Sequence, residues 1–223
     1  MAFNMTVGEM AAKEPKSTAL FKEIGIDFCC NGKDDLAEAL RRKKVSPEQF
    51  AERLATLKAE SENAGNHAGE INFLDMKPAA LAEHIVTRHH EYLRKSLPET
   101  LALFLKVLRV HGAQHPELYE AFKSFGAMKT DLEQHLIKEE TLLFPEFANR
   151  SGRKIASLME SIESEHESVG RLLDNIRAIS RDYVLPPDAC MSYANLYRTL
   201  QEIEDDIHQH IHLENNILFK RLA

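Results

Sequence analysis

Two apolar stripes in this sequence are broken in the same way, by a histidine and then, four residues on, by a glutamate. One runs Leu118, Phe122, Phe125, Met128, Leu132, His135, Glu139, Leu142. The other runs Tyr193, Leu196, Leu200, Ile203, Ile207, His210, Glu214, Ile217. Steps of three and four residues put each set on one face of a helix, the face that packs against neighbours. A histidine and a carboxylate four apart lie one turn apart on that face. A glutamate buried there is costly unless it is paired or bound to a metal. The pattern demands helices packed around a polar layer, and it points to a cation inside that layer.

The flanking sequence supplies the rest of such a bundle. From about residue 75 onward, helical periodicity fills four long segments, near 78–111, 116–149, 153–182 and 188–221. The breaks "HGAQHPE", "NRSGR" and "VLPPDA" carry turn chemistry. Four long helices with short connections predict an all-α, up-down four-helix bundle. The first stripe reads Val86, His90, Leu93, Leu97, Leu101, and the third reads Leu158, Ile162, His166, Val169, Leu173. Each helix thus turns one histidine inward, and two add a glutamate. The candidate metal ligands are His90, His135, Glu139, His166, His210 and Glu214.

If both glutamates bridge, each of two metal ions receives two nitrogens and two oxygens. Room remains for a bridging oxo or hydroxo species and an exchangeable position. Such ligation suits two non-haem iron ions per chain, with manganese and zinc also compatible. Reflecting His90 through successive turns puts His135, Glu139 and His166 near one level. It leaves His210 six residues off, about 9 Å, so the fourth helix is expected to overhang the third. The ferritin-like pattern needs Glu-x-x-His on two helices, and only Glu163 and His166 supply it. Glu163 and Glu165 are expected beside the ligands or on a solvated face. His84 is turned off the seam, and helical phase points His89, His208 and His212 elsewhere. His111 lies about 31 Å from His90 along a straight helix. His67 and His115 fall in linker or turn.

Residues 1–60 are expected to form a small helical domain, in which Ser46 caps a helix and Pro47 takes its first position. Residues 61–74, beginning "SENAGNHAGEINF", read as a linker, and 75–223 as the bundle. The small domain carries Cys29 and Cys30 beside a turn at Asn31-Gly32. Adjacent cysteines close only a strained ring, which disfavours an ordinary bridge between them. A thiol pair that passes iron onward and a simple helix end both remain open on these residues alone. Cys190 is expected to be structural. A net charge of −7 excludes a basic nucleic-acid footprint. No apolar run approaches the ~20 residues of a membrane helix. The first ten residues lack the marks of a signal peptide. Three cysteines make no disulfide framework, so a reduced, cytoplasmic protein is expected.

Taken together, "HLIKEETLLFP", "HIHLENNILF", "ESEHESVGRLL" and "IGIDFCCNGKDDLAEA" resemble the repair-of-iron-centres (RIC) di-iron proteins over nearly the whole chain. The first three match hemerythrin-like helices, and the last matches the short N-terminal domain with adjacent cysteines. The resemblance implies the same six ligands that the spacing picks out. It further implies repair of iron–sulfur clusters damaged by nitric oxide or oxidants, in the cytoplasm and often as a homodimer. The partners would be damaged or apo iron–sulfur proteins. It favours a functional role for Cys29 and Cys30 in thiol exchange or iron transfer. An oxygen or nitric oxide carrier or sensor, and a nitric oxide or peroxide reductase, use the same irons and stay open beside an iron donor.

Overall fold

The computed structural model of the chain describes residues 3–63, 71–149 and 152–221. Half of the expected linker, at 64–70, lies outside the described residues. Among the described residues the regular structure is all helix, joined by short loops, with a single isolated bridge between Thr6 and Asp35 and no strand. No described helix is long and apolar enough to cross a membrane. The chain divides into two compact units, one of Met1–Leu81 with Ile211–Ala223 and one of Ala82–His210. The boundary falls inside the last helix, so its final turns group with the N-terminal segment.

In the first unit, α1 (Val7–Lys13) begins at a capping box in which Thr6 and Glu9 exchange hydrogen bonds. It is followed by α2 (Ser17–Ile24), α3 (Leu36–Arg42) and α4 (Pro47–Asn63). Ser46 caps α4 as expected, its hydroxyl accepting from the Gln49 amide while the Gln49 side chain accepts from the Ser46 amide. The core stacks Phe21 between Phe28 and Phe50, with ring centroids 6.3 and 5.3 Å away. From the last helix, the Asn216 side chain is wedged against the backbones of Gly8 and Gly32. A Cβ on either glycine would stand 2.1 Å from Asn216 Oδ1, so only glycine fits at both positions.

The second unit holds most of the bundle, while the first turn of its first helix and the last turns of its fourth belong to the first unit. Helix α5 runs over Pro78–His111 and α6 over Glu117–Asn149. Helix α7 spans Gly152–Ile179, and α8 runs from Met191 to Arg221. These limits lie close to those expected. Three of the helices are interrupted by one turn of π-helix, at Val86–His90, Glu139–Leu143 and Glu214–Leu218. Each turn inserts one extra residue, and such bulges are frequent at functional sites. They correct the expected stripes. Ile85 is fully buried in place of Val86, and Leu143 in place of Leu142, which is 53% exposed. Beyond the π turns most of the seam is buried, at Leu93, Leu97, Leu118, Phe125, Met128, Leu132, Ile162, Val169, Leu173, Leu196, Ile203 and Ile207, while Leu101, Phe122 and Leu158 are half-buried and Phe104 fills the core below Leu97.

The expected overhang of the fourth helix is real and has a simple cause. Helix α7 is the short one, ending thirteen residues after His166, whereas nineteen residues of α8 precede His210. The surplus packs against the turn between α5 and α6. There the Tyr193 ring lies 5.2 Å from the His111 ring and 5.7 Å from that of His115.

Candidate metal centre

The four inward histidines of the second unit meet around one carboxylate. The Nε2 atoms of His90 and His210 lie 3.2 Å apart, as do those of His135 and His166. Glu139 stands between the two pairs. Its Oε2 is 3.3 Å from His90 Nε2 and 3.7 Å from His210 Nε2. Its Oε1 is 3.3 Å from His135 Nε2 and 3.9 Å from His166 Nε2. Each carboxylate oxygen therefore has its own pair of imidazoles, and the donors of each group lie within 4.8 Å of one another. Glu214 follows His210 by one turn on the same helix, opens the third π turn and is fully buried.

The outer nitrogens explain the direction of the inner ones. His90 Nδ1 is 2.7 Å from Glu140, which also accepts from Arg94 at 2.7 Å. His135 Nδ1 is 2.9 Å from Glu165, which also pairs with Lys138. A carboxylate at Nδ1 holds the proton there and leaves the Nε2 lone pair facing inward, the arrangement found behind metal-bound histidines. The His135 hydrogen bond holds the Glu165 carboxyl below its usual range. At Glu140 burial works the other way and is outweighed by His90 and Arg94.

Glu139 provides the test of whether a cation fits. It is completely buried, and among the described residues neither of its oxygens has a hydrogen-bond partner. Burial pushes its carboxyl up, but the facing imidazoles of His135, His210 and His90 outweigh it and hold the group well below the usual range. The second unit shows what a buried carboxylate satisfied by protein looks like. Glu204 accepts from Arg177 Nε at 2.9 Å and from the Tyr183 hydroxyl at 2.7 Å. Held as an anion in a dry layer, Glu139 needs positive charge beside it, and with the His90 and His135 protons drawn outward to Glu140 and Glu165 a cation is the natural source. Two nitrogens bonded at about 2.1 Å to a common ion stand close to the observed separation. The donor set fits a metal.

One histidine of this layer escaped the sequence reading. His89 is not turned away but buried, with Nδ1 3.0 Å from Asp206 and its ring stacked on His210 at 5.8 Å. Both His89 and His90 face the interior from the π turn at Val86–His90, whose extra residue shifts the phase that the sequence periodicity implies. Burial draws the His89 imidazole below its ordinary range, only partly offset by Asp206.

Cys29 and Cys30 lie in the first unit, on the loop between α2 and α3. Both are free thiols, with sulfurs 3.8 Å apart. Asp27 organises the loop by accepting from the backbone amides of Cys29 and Cys30, each at 2.9 Å. The Cys29 thiol donates to the same carboxylate at 3.2 Å. Contact with Cys30, then burial, then Asp27 raise the Cys29 thiol well above its ordinary range. The donors of Asp27, Cys29 and Cys30 lie within 4.8 Å of one another. From the last helix, Asn216 donates to the Phe28 and Cys29 carbonyls at 3.0 and 3.2 Å.

Comparison with known proteins agrees with both parts. Residues 3–58 match the ScdA N-terminal domain, described as a domain of unknown function (DUF542), and residues 81–222 match the hemerythrin HHE cation-binding domain. The chain is 35% identical over 216 residues to the iron-sulfur cluster repair protein YtfE of Salmonella typhimurium, covering 96% of this chain and 94% of that protein. The same identity and coverage hold for the YtfE proteins of Salmonella paratyphi B and Salmonella newport. With buried imidazoles around an ionised glutamate and both parts of the chain matched in order, this chain belongs to the repair-of-iron-centres (RIC) family of hemerythrin-like proteins.

Proposed function

We propose that this chain is an iron–sulfur cluster repair protein whose bundle holds two non-haem iron ions and gives iron to damaged or apo iron–sulfur proteins. The observation that carries the reading is the division of four imidazoles into two pairs, one at each oxygen of Glu139. His90 and His210 would hold one ion and His135 and His166 the other. Glu139 would bridge them, and Glu214 would be the second carboxylate, with an oxo or hydroxo group between the ions. When bound, such a pair supplies open positions for small oxygen or nitrogen species. Glu140 and Glu165 keep the protons of His90 and His135 on the outer nitrogens, and so set how firmly the ions are held.

The relatives named for cluster repair, matched over nearly their whole length, support the acceptor class. The two thiols and one carboxylate at Asp27–Cys30 form a second group of metal donors, suited to receiving or handing on an ion. Segments 1–60 and 75–223 would act as the delivery domain and the iron-holding bundle, in the cytoplasm. Direct transfer tests the proposal. Iron-loaded protein mixed with an iron-free iron–sulfur acceptor should lose iron to it, read as acceptor activity and as iron content after separation. Retention of both irons would rule out the donor role.

A further inference from the structure

A third cluster of metal-type donors lies at the end of the bundle away from the core layer. His111 closes α5, His115 sits in the turn before α6, and Asp188 and Cys190 immediately precede α8. We propose that His111, His115, Asp188 and Cys190 form a separate site for a zinc-class divalent cation.

The donors are already gathered. Those of His111, His115 and Asp188 lie within 4.8 Å of one another. His111 Nε2 is 3.2 Å from Cys190 Sγ. His115 Nε2 is 3.0 and 3.1 Å from the two Asp188 oxygens. Donors around a tetrahedral zinc stand about 3.4 Å apart, so both close pairs have the right spacing. The sequence pattern is His-x3-His and Asp-x-Cys, a short spacing of the kind zinc sites use. Two imidazoles, a thiolate and a carboxylate favour zinc over magnesium or calcium, which take oxygen ligands.

The local chemistry prepares each donor. His115 Nδ1 is 3.1 Å from Glu117, the same outer-carboxylate device that orients His90 and His135 at the core. Without a metal, His115 faces a carboxylate at both nitrogens, and Asp188 foremost raises its tendency to hold a proton. A divalent cation would replace the proton on Nε2. The Tyr193 amide and then His111 draw the Cys190 thiol down to about 7, which makes thiolate available at neutral pH. His111 is buried and packed on Tyr193, whereas Asp188 and Cys190 are exposed and leave a route in for the ion. The bound ion would tie the α5–α6 turn to the start of α8, the overhang that α7 does not cover.

The site stands apart from the core reading and is tested separately. Cobalt(II) is titrated into the iron-loaded Cys29→Ala, Cys30→Ala protein, whose core is already occupied and in which Cys190 is the one remaining thiol. A thiolate-to-cobalt charge-transfer band should appear, saturate at one equivalent and vanish when zinc is added. It should be absent from a further Cys190→Ser variant, and cobalt should bind the Asp188→Asn and Glu117→Gln variants about ten- to a hundred-fold more weakly. All three changes are at surface positions, and unchanged helical circular dichroism verifies folding. No band, or binding unaltered in Asp188→Asn, would overturn the site. The core histidines and glutamates carry no sulfur, so cobalt bound there gives no such band.

Discussion

The core layer of the bundle and the di-cysteine loop both gather metal-type donors, but by different means. The core layer is made by helices. Every donor sits on a helix, three of them in π turns, two of the four imidazoles are braced from behind by a carboxylate, and the donors are buried. The loop is held by two side chains, Asp27, which accepts from two backbone amides and a thiol, and Asn216, which donates to two carbonyls. Helical ligands resist movement because moving one means unpacking a seam. A loop held by a few hydrogen bonds can change shape at small cost. The difference suits a division of labour in which one region stores ions and the other exchanges them.

The largest expected effect breaks the core half of that contrast. Glu139→Gln keeps the shape and removes the charge, so purified protein should carry little or no iron while staying helical, read by metal analysis and circular dichroism. Full iron content in this variant would separate the charge of Glu139 from metal binding. Next come the braces. Glu165→Gln and Glu140→Gln should each weaken metal retention against a chelator by about ten- to a hundred-fold without unfolding the bundle. On the loop side, Cys29→Ala with Cys30→Ala should leave iron content unchanged and slow transfer to an acceptor. Unchanged transfer would point to a carrier or sensor instead.

Two smaller effects sharpen the picture of the loop. Asn216→Ala removes the donors to the Phe28 and Cys29 carbonyls and should cost about 1–3 kcal/mol of stability, seen in denaturant unfolding. Thiol alkylation separates the cysteines by pH, because only the thiolate reacts. Cys190 should label with a rate that rises through about pH 7, since its thiol is drawn down. Cys29, whose thiol is pushed up, should label last and only in more alkaline solution. Fast labelling of Cys29 at neutral pH would mean that the loop opens readily.

What could be read from sequence follows the same divide. The four bundle helices, the inward histidines and the two glutamates obey a period of three to four residues, so their faces are visible in the residues themselves. The π turns are not, because a one-residue insertion in phase has no local signature. They hid the burial of His89 and exchanged Leu142 for Leu143. The outer carboxylates were half legible. Periodicity leaves Glu165 either beside the ligands or on a solvated face, and the structure puts it at His135, whereas Glu140 directly follows a seam residue and carries no sign of its place at His90. The short α7 explains the one level that reflection misplaced. Cys190, expected to be structural, is exposed beside His111, a pairing across 79 residues that no periodicity announces. The part that Asn216 plays beneath the cysteine loop depends likewise on a contact 188 residues apart.

X-ray absorption at the iron edge of the purified protein, with total iron counted on the same sample, tests the central claim most directly. Two irons per chain in a shell of imidazole nitrogen and carboxylate oxygen, with an iron neighbour and no sulfur, is the expected result. A single iron, or sulfur among its ligands, would contradict it.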